Sequence, residues 1–304
     1  MAGDLPHRPG PVRLSVTHRF RNASPEALFV LSGVSQYTGA AIAVRLFDEV
    51  YPTTVTVLRV LLGGVMVLLV SWRSQRRWTR RDLGAAAIFG LATAAMNTCF
   101  YLAIDRLPLG KSVVIEFIGP IALAAWFTRT RRNIFALLLA ASGVAILSGV
   151  EIGGDPLGVL YIFGASFFWV TYLLLGRRVA SLDRGLSGLG VGLMIGGVAI
   201  IPLGFRDLGH VLGTPRLLGL CALVGLFSSA IGYAIDQVVL RRIPMRRFAV
   251  LLALLPVTAM VMGVVALGQH PSVADVAGAV LVIGGVVIQE RDELPVSLLE
   301  EPPG

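Results

Sequence analysis

Ten stretches of apolar sequence, each long enough to cross a bilayer, follow one another through this chain with only short polar connections between them. They lie at about 26–46, 52–72, 83–104, 109–128, 133–150, 156–176, 186–204, 216–240, 245–268 and 273–290. Crossing the hydrocarbon core takes about 20 residues of helix. A lipid-exposed segment must satisfy its backbone hydrogen bonds internally, and a helix is the structure that does so within one run. The expectation is an all-α membrane protein with ten transmembrane helices, sequence neighbours running antiparallel. Composition agrees: 55% of residues are hydrophobic and 14% charged, against about 25% charged in soluble domains.

The basic residues orient these spans. With ten spans both termini share a side, and 20 of the 26 Lys and Arg fall in segments on that side. Five (Arg45, Arg106, Lys111, Arg206 and Arg216) fall opposite, and Arg59 lies within a span. The positive-inside rule places both termini in the cytoplasm and the chain in the plasma (inner) membrane. Residues 1–25 lack an apolar signal region and read as a disordered basic cytoplasmic arm. Residues 291–304 read as an acidic cytoplasmic tail. The net charge of +8 comes from this loop pattern, so no nucleic-acid partner is implied.

The two halves repeat. Residues 106–120 (RLPLGKSVVIEFIGP) align with 242–256 (RIPMRRFAVLLALLP) at an offset of 136, with identities at Arg106/Arg242, Pro108/Pro244, Val114/Val250 and Pro120/Pro256. Five spans per half is an odd number, so the second half enters the membrane inverted. Residues 26–150 and 156–290 are then two inverted five-helix repeats. Transporters built this way carry their site near the midplane, at the repeat interface. Pro120 and Pro256, inside spans 4 and 9, are candidate matched helix kinks.

Residues 100–126 (FYLAIDRLPLGKSVVIEFIGPIALAAW) resemble spans 3 and 4 of EamA-domain proteins of the drug/metabolite transporter superfamily, particularly the threonine/homoserine-exporter type. Residues 229–259 and 52–64 resemble the matching stretch of the second half and the arginine-bearing span 2. The resemblance runs over 26–290 and implies a ten-helix, two-repeat exporter of amino acids or other metabolites. Two acidic positions usual in such exporters are Leu255 and Gln269 here.

Charged groups inside a membrane are functional candidates by default. Arg59 and Glu116 lie at equal depth in spans 2 and 4. Two readings stand: a structural ion pair, or a coupling site at which Glu116 binds a proton and Arg59 tunes it. Polar or aromatic stripes accompany them. Thr93, Asn97 and Tyr101 share a face of span 3, with Tyr101 also a candidate for an interfacial aromatic belt. Ser112, Glu116 and Pro120 line span 4. Ser32 and Gln36 mark span 1, and Ser166, Trp169 and Tyr172 mark span 6. Ser229, Tyr233 and Gln237 mark span 8, with Asp236 beside them. Asp236 has a second reading, as a carboxylate reaching towards headgroups or a nearby arginine. The candidate substrate-binding or coupling set is Glu116, Arg59, Asn97, Gln36, Tyr101, Trp169, Tyr172, Ser229, Tyr233 and Asp236. Gly188, Gly192 and Gly196 form a stripe on span 7 for close approach of a helix, within the chain or in a second subunit of a homodimer.

All four histidines (His7, His18, His210 and His270) lie outside the spans. This removes a buried Ser–His pair and a histidine metal site. There is no phosphate-binding loop for direct ATP coupling. The two cysteines have no metal or disulfide spacing. No enzyme, cofactor or metal is expected. The expectation is a secondary transporter exporting a small metabolite, such as an amino acid, by proton antiport. A facilitated-diffusion carrier or an importer would use the same cavity, and an embedded enzyme or scaffold is the remote alternative.

Overall fold

The computed structural model describes residues 23–72, 78–107, 109–127, 130–147, 155–181, 186–244, 247–248, 251–252, 254–267 and 272–288. The basic arm before residue 23, the acidic tail, Pro108 and Gln269 lie outside these. Every regular element among the described residues is helical. They are α1 (Pro25–Leu46), α2 (Pro52–Ser71), α3 (Arg80–Ile104), α4 (Leu109–Phe127), α5 (Arg131–Leu147), α6 (Pro156–Ser181), α7 (Ser187–Ala199), α8 (Phe205–Gly213), α9 (Pro215–Arg242), α10 (Leu254–Leu267) and α11 (Val273–Ile288).

Local chemistry sets the helix starts. Proline opens α1, α2, α6 and α9, where its missing N–H would lack an intrahelical partner anyway. Ser24 caps α1 by accepting from the Ala27 amide at 3.2 Å, and Thr79 caps α3 by accepting from Asp82 at 3.1 Å. Asp155 accepts from the Leu157 amide at 3.0 Å ahead of α6. Each side-chain oxygen satisfies a donor that the first turn leaves open.

Among the described residues, five helices (α1, α2, α3, α6 and α9) are long and apolar enough to cross a membrane. The pair Ser187–Ala199 and Ile201–Gly213, bent by 58°, makes a sixth candidate. Large apolar side chains face outward: Trp126, Val70, Trp72 and Phe167 are all exposed. Surfaces this apolar suit lipid better than water.

Two expectations change in detail. Span 7 does not run as one helix to residue 204. It stops at Ala199, passes through a 3-10 turn at Ile201–Gly204, and continues as α8. Pro202 cannot donate to the α-helical ladder, which ends the regular run. The matched prolines also differ in setting. Pro120 lies deep inside α4, whereas a turn at Leu252 precedes α10 and Pro256 falls in its first turn.

Packing is closest where side chains are smallest. The glycine stripe of α7 meets α3 within the chain: Gly192 abuts Ala86 and Gly90, and Gly196 abuts Gly90 and Ala94. Gly190 and Gly197 bring the neighbouring face of α7 onto α2, against Leu68 and Leu61. In the same way, α5 and α11 meet through Gly143 beside Gly278 and Gly285 beside Ala136. The central core gathers Phe29, Phe89, Phe117, Trp169, Tyr172, Leu193 and Phe248 around the cavity described next.

Candidate functional site

Arg59 is the least exposed charged residue among the described residues. It is buried at 5% exposure on α2. Its Nε donates to Ser229 Oγ at 3.2 Å, Nη1 to the Tyr101 hydroxyl at 2.8 Å and Nη2 to the Tyr233 hydroxyl at 3.3 Å. The guanidinium carbon also lies 5.1 Å from the Tyr101 ring centroid, within cation–π range. Tyr233 in turn donates to Asn97 Oδ1 at 3.0 Å, and Asn97 donates to the Thr93 carbonyl at 2.7 Å. A chain of neutral groups from α3 and α9 therefore holds the cation of α2. Three of its five N–H donors are used.

The second feature lies on α9. Its middle, Gly225–Gly232, is a π-helical segment, a local widening often found at functional sites. Side chains of α1 lock onto it. Ser35 donates to the Phe227 carbonyl at 2.6 Å, and Ser228 donates to the Gln36 carbonyl at 3.2 Å. One turn on, Asp236 accepts from Ser32 at 2.7 Å and from Gln36 Nε2 at 3.4 Å. The Tyr172 hydroxyl lies beside it without closing a hydrogen bond.

These groups border one cavity of about 90 Å³. Gln36, Arg59, Asn97, Glu116, Trp169, Tyr172, Tyr233 and Asp236, all singled out from sequence, line it. Tyr101 and Ser229 stand one layer back, holding Arg59. Trp169 packs edge-on to Phe117 with centroids 4.9 Å apart. Ser166, one turn before it, accepts the Gly119 amide at 2.9 Å, which seats α4 against α6 ahead of Pro120.

At three places where the sequence left two readings open, the structure narrows them. Arg59 and Glu116 share the cavity without forming an ion pair, because hydroxyls take the guanidinium. Among the described residues Glu116 has neither a hydrogen bond nor an ion pair. Asp236 does not reach towards the headgroups or Arg241: it is 7% exposed and turned onto α1. Tyr101 is fully buried, so it is not part of an interfacial belt.

The wall contributed after residue 244 is formed by Phe248, Leu252 and Leu255; sequence singled out Leu255 as a lost acidic position and missed the other two. These carry no polar stripe. The repeat offset held a signal nonetheless, since Leu252 stands 136 residues after Glu116 and Phe248 the same distance after Ser112. Tyr37 and Met96 also line the cavity, and apolar periodicity alone does not separate such residues from ordinary packing.

The cavity therefore offers one cation with donors to spare, one carboxylate without a partner among the described residues, a second carboxylate held by neutral donors, and an aromatic wall. No group of three or more His, Cys, Asp or Glu able to hold a metal occurs among the described residues.

The chain as a whole is similar to known transporters. The model of the EamA-like transporter family matches residues 156–289. The threonine/homoserine exporter RhtA of Salmonella typhimurium (strain LT2) is 31% identical over 252 residues, covering 81% of this chain and 84% of the exporter. The threonine/homoserine exporter RhtA of Escherichia coli (strain K12) is 30% identical over 248 residues, with the same coverage of 81% and 84%. An uncharacterized transporter of Bacillus subtilis (strain 168), YwfM, is 26% identical over 257 residues, 79% of this chain and 85% of that one. A crystal structure of a protein 18% identical in sequence superimposes with a TM-score of 0.67 over 91% of this chain and 99% of that one, which shows a common fold.

Proposed function

We infer the function from one premise: the chain belongs to the EamA-like transporter family. The members are transporters rather than enzymes, so this is a multi-pass membrane protein that moves a small molecule across a bilayer. Beyond that, we propose a secondary transporter that exports a small zwitterionic metabolite, an amino acid, in exchange for protons.

One observation carries this reading. Arg59 and Glu116 line one cavity without a hydrogen bond or ion pair between them. The guanidinium retains two N–H donors for a solute carboxylate, and arginine's planar fork suits that partner. Glu116 presents an open acceptor for a solute ammonium group. Protonation of Glu116 would remove that acceptor charge, so proton and solute compete for one carboxylate. The threonine and homoserine named for the relatives carry both charges on a small body.

Ten spans in two inverted halves supply the motion. The helix pairing supports this architecture, because exchanging the halves maps one contact onto another. α3 packs on α6 as α9 packs on α1, α4 on α6 as α10 on α1, and α3 on α7 as α9 on α2. Asn97 and Tyr233, which hydrogen-bond each other, are themselves 136 residues apart. Two like halves rocking about a shared site give alternating access, with both termini cytoplasmic.

The experiment is transport by the purified protein in liposomes. An imposed proton gradient should drive accumulation of threonine or homoserine, and Glu116→Gln should retain solute binding weakly and lose gradient-driven accumulation. Undiminished accumulation by Glu116→Gln would reject the coupling assignment. No relocation of any amino acid by the wild type would reject the substrate class.

A further inference from the structure

Asp236 is a buried carboxylate that the exchange at Glu116 does not use. Among the described residues it pairs with no lysine or arginine, since the nearby Arg59 is bonded to Ser229, Tyr101 and Tyr233. Its partners are neutral: Ser32 at 2.7 Å and Gln36 at 3.4 Å. The other titratable or charged groups bordering its cavity are Tyr37 of α1, Arg59 of α2, Glu116 of α4, Tyr172 of α6 and Tyr233 of α9. An isolated charge in a low-dielectric interior is costly, and a carboxylate in such a place relieves the cost by taking a proton.

The geometry around Ser32 shows what that proton would do. Ser32 Oγ stands 2.7 Å from Asp236 Oδ1 and 3.1 Å from the Gly232 carbonyl, and it accepts from Gln36 Nε2 at 2.9 Å. A hydroxyl has one proton to donate and two lone pairs to accept with. It cannot serve the carboxylate and the carbonyl fully at once. With Asp236 ionised, the Ser32 proton goes to the carboxylate and the Gly232 carbonyl loses this donor. With Asp236 protonated, its own O–H donates to Ser32 Oγ, and the Ser32 O–H turns to Gly232. Both arrangements use the same atoms, and both lone pairs of Ser32 are filled in the second.

Gly232 closes the π-helical segment of α9. There α1 lies close against α9, the side chain of Gln36 lying where a Cβ on residue 232 would stand.

We propose that Asp236 is a second proton-binding site, separate from Glu116, and that Ser32 relays its protonation to the Gly232 carbonyl, tightening α1 on the π-helical segment when the proton is bound. The proton comes from water on whichever side the cavity opens to. One O–H bond forms on Asp236 as one breaks on the donating hydronium, which is left as water. The transport consequence rests on the proposed export function, whereas the proton site itself does not.

The test is an infrared pH titration of the full-length protein in lipid, following the carbonyl stretch of protonated carboxylic acids. The expected result is a buried-acid band that Asp236→Asn removes and Glu116→Gln retains. Ser32→Ala should shift that band to higher wavenumber through loss of the hydrogen bond, and Ser32→Thr should restore it. If Asp236→Asn leaves every band in place, or Ser32→Ala leaves band and midpoint unmoved, the proposal fails. Asp236→Glu serves as a second variant, expected to move the band rather than abolish it. Gradient-free solute exchange, measured on the same liposomes, separates the two ideas. Exchange without the Asp236 band overturns the proton site alone, and the band without exchange overturns the export function alone.

Discussion

A guanidinium in the interior of an apolar bundle must find acceptors, and Arg59 finds them on three hydroxyls from two helices. Sequence placed Tyr101, Asn97, Tyr233 and Ser229 on the faces that could reach it, because intervals of four put residues on one side of a helix. Depth counting left a bond to Glu116 open as one of two readings, since equal depth says nothing about rotation around the bundle, and the hydroxyls take the guanidinium instead. Tyr101→Phe leaves the ring stacked and removes one acceptor from a buried charge. It should lower stability by about 1–3 kcal/mol, read as a drop in the thermal midpoint in detergent. An unchanged midpoint would show that the hydroxyl is dispensable to Arg59.

At the scale of elements, α7 is held by absent side chains. Glycines on one face admit α3 and those on the adjoining face admit α2. The stripe was legible in the sequence, and its partner was not, because a glycine face is equally suited to a neighbour in the chain or to a second subunit. A Cβ at Gly90 would run into the backbone of Gly192. Gly90→Val should therefore destabilise by at least about 1–3 kcal/mol, the usual cost of overpacking. Gly209→Ala on α8, where no atom lies within 4 Å of an added Cβ, should be neutral or raise stability by up to about 1 kcal/mol through helix propensity. Equal melting shifts for the two variants would contradict this packing.

Across the whole molecule, charged contacts join the two halves at both ends of the bundle. At one end Arg106 meets Asp155 at 2.8 Å and Arg216 holds Glu49 with two bonds of 2.9 and 3.1 Å. At the other, Arg247 pairs with Glu26, and Arg242 donates to the Ala23 carbonyl at 3.3 Å. The hydrogen bond from Arg106 holds the Asp155 carboxyl below its ordinary value, as that from Arg216 does for Glu49. A lowered folded-state value means that the unfolded chain takes up protons first as pH falls. The contribution is present above the ordinary carboxylate range, about pH 4, and is lost as pH falls through the folded-state values. The melting difference between wild type and the double variant Glu49→Gln, Asp155→Asn should be largest near neutral pH and vanish in acid. A gap that ignores pH would rule out these pairs as its source. The pairs are exposed and screened, so the gap should also narrow in salt.

Hydropathy by itself determined that the chain is helical and built for lipid, since apolar runs of this length have few other structures open to them. Its periodicity chose the side of each helix on which the polar groups lie, and the 136-residue offset related the halves. Tertiary structure alone decided which of those groups touch. Rotation about each helix axis and the widened turn of α9 set Arg59 on hydroxyls, left Glu116 open, and brought Asp236 onto Ser32 across 204 positions of sequence. Such contacts depend on ångström-scale placement between helices distant in the chain, and no interval within one helix encodes that.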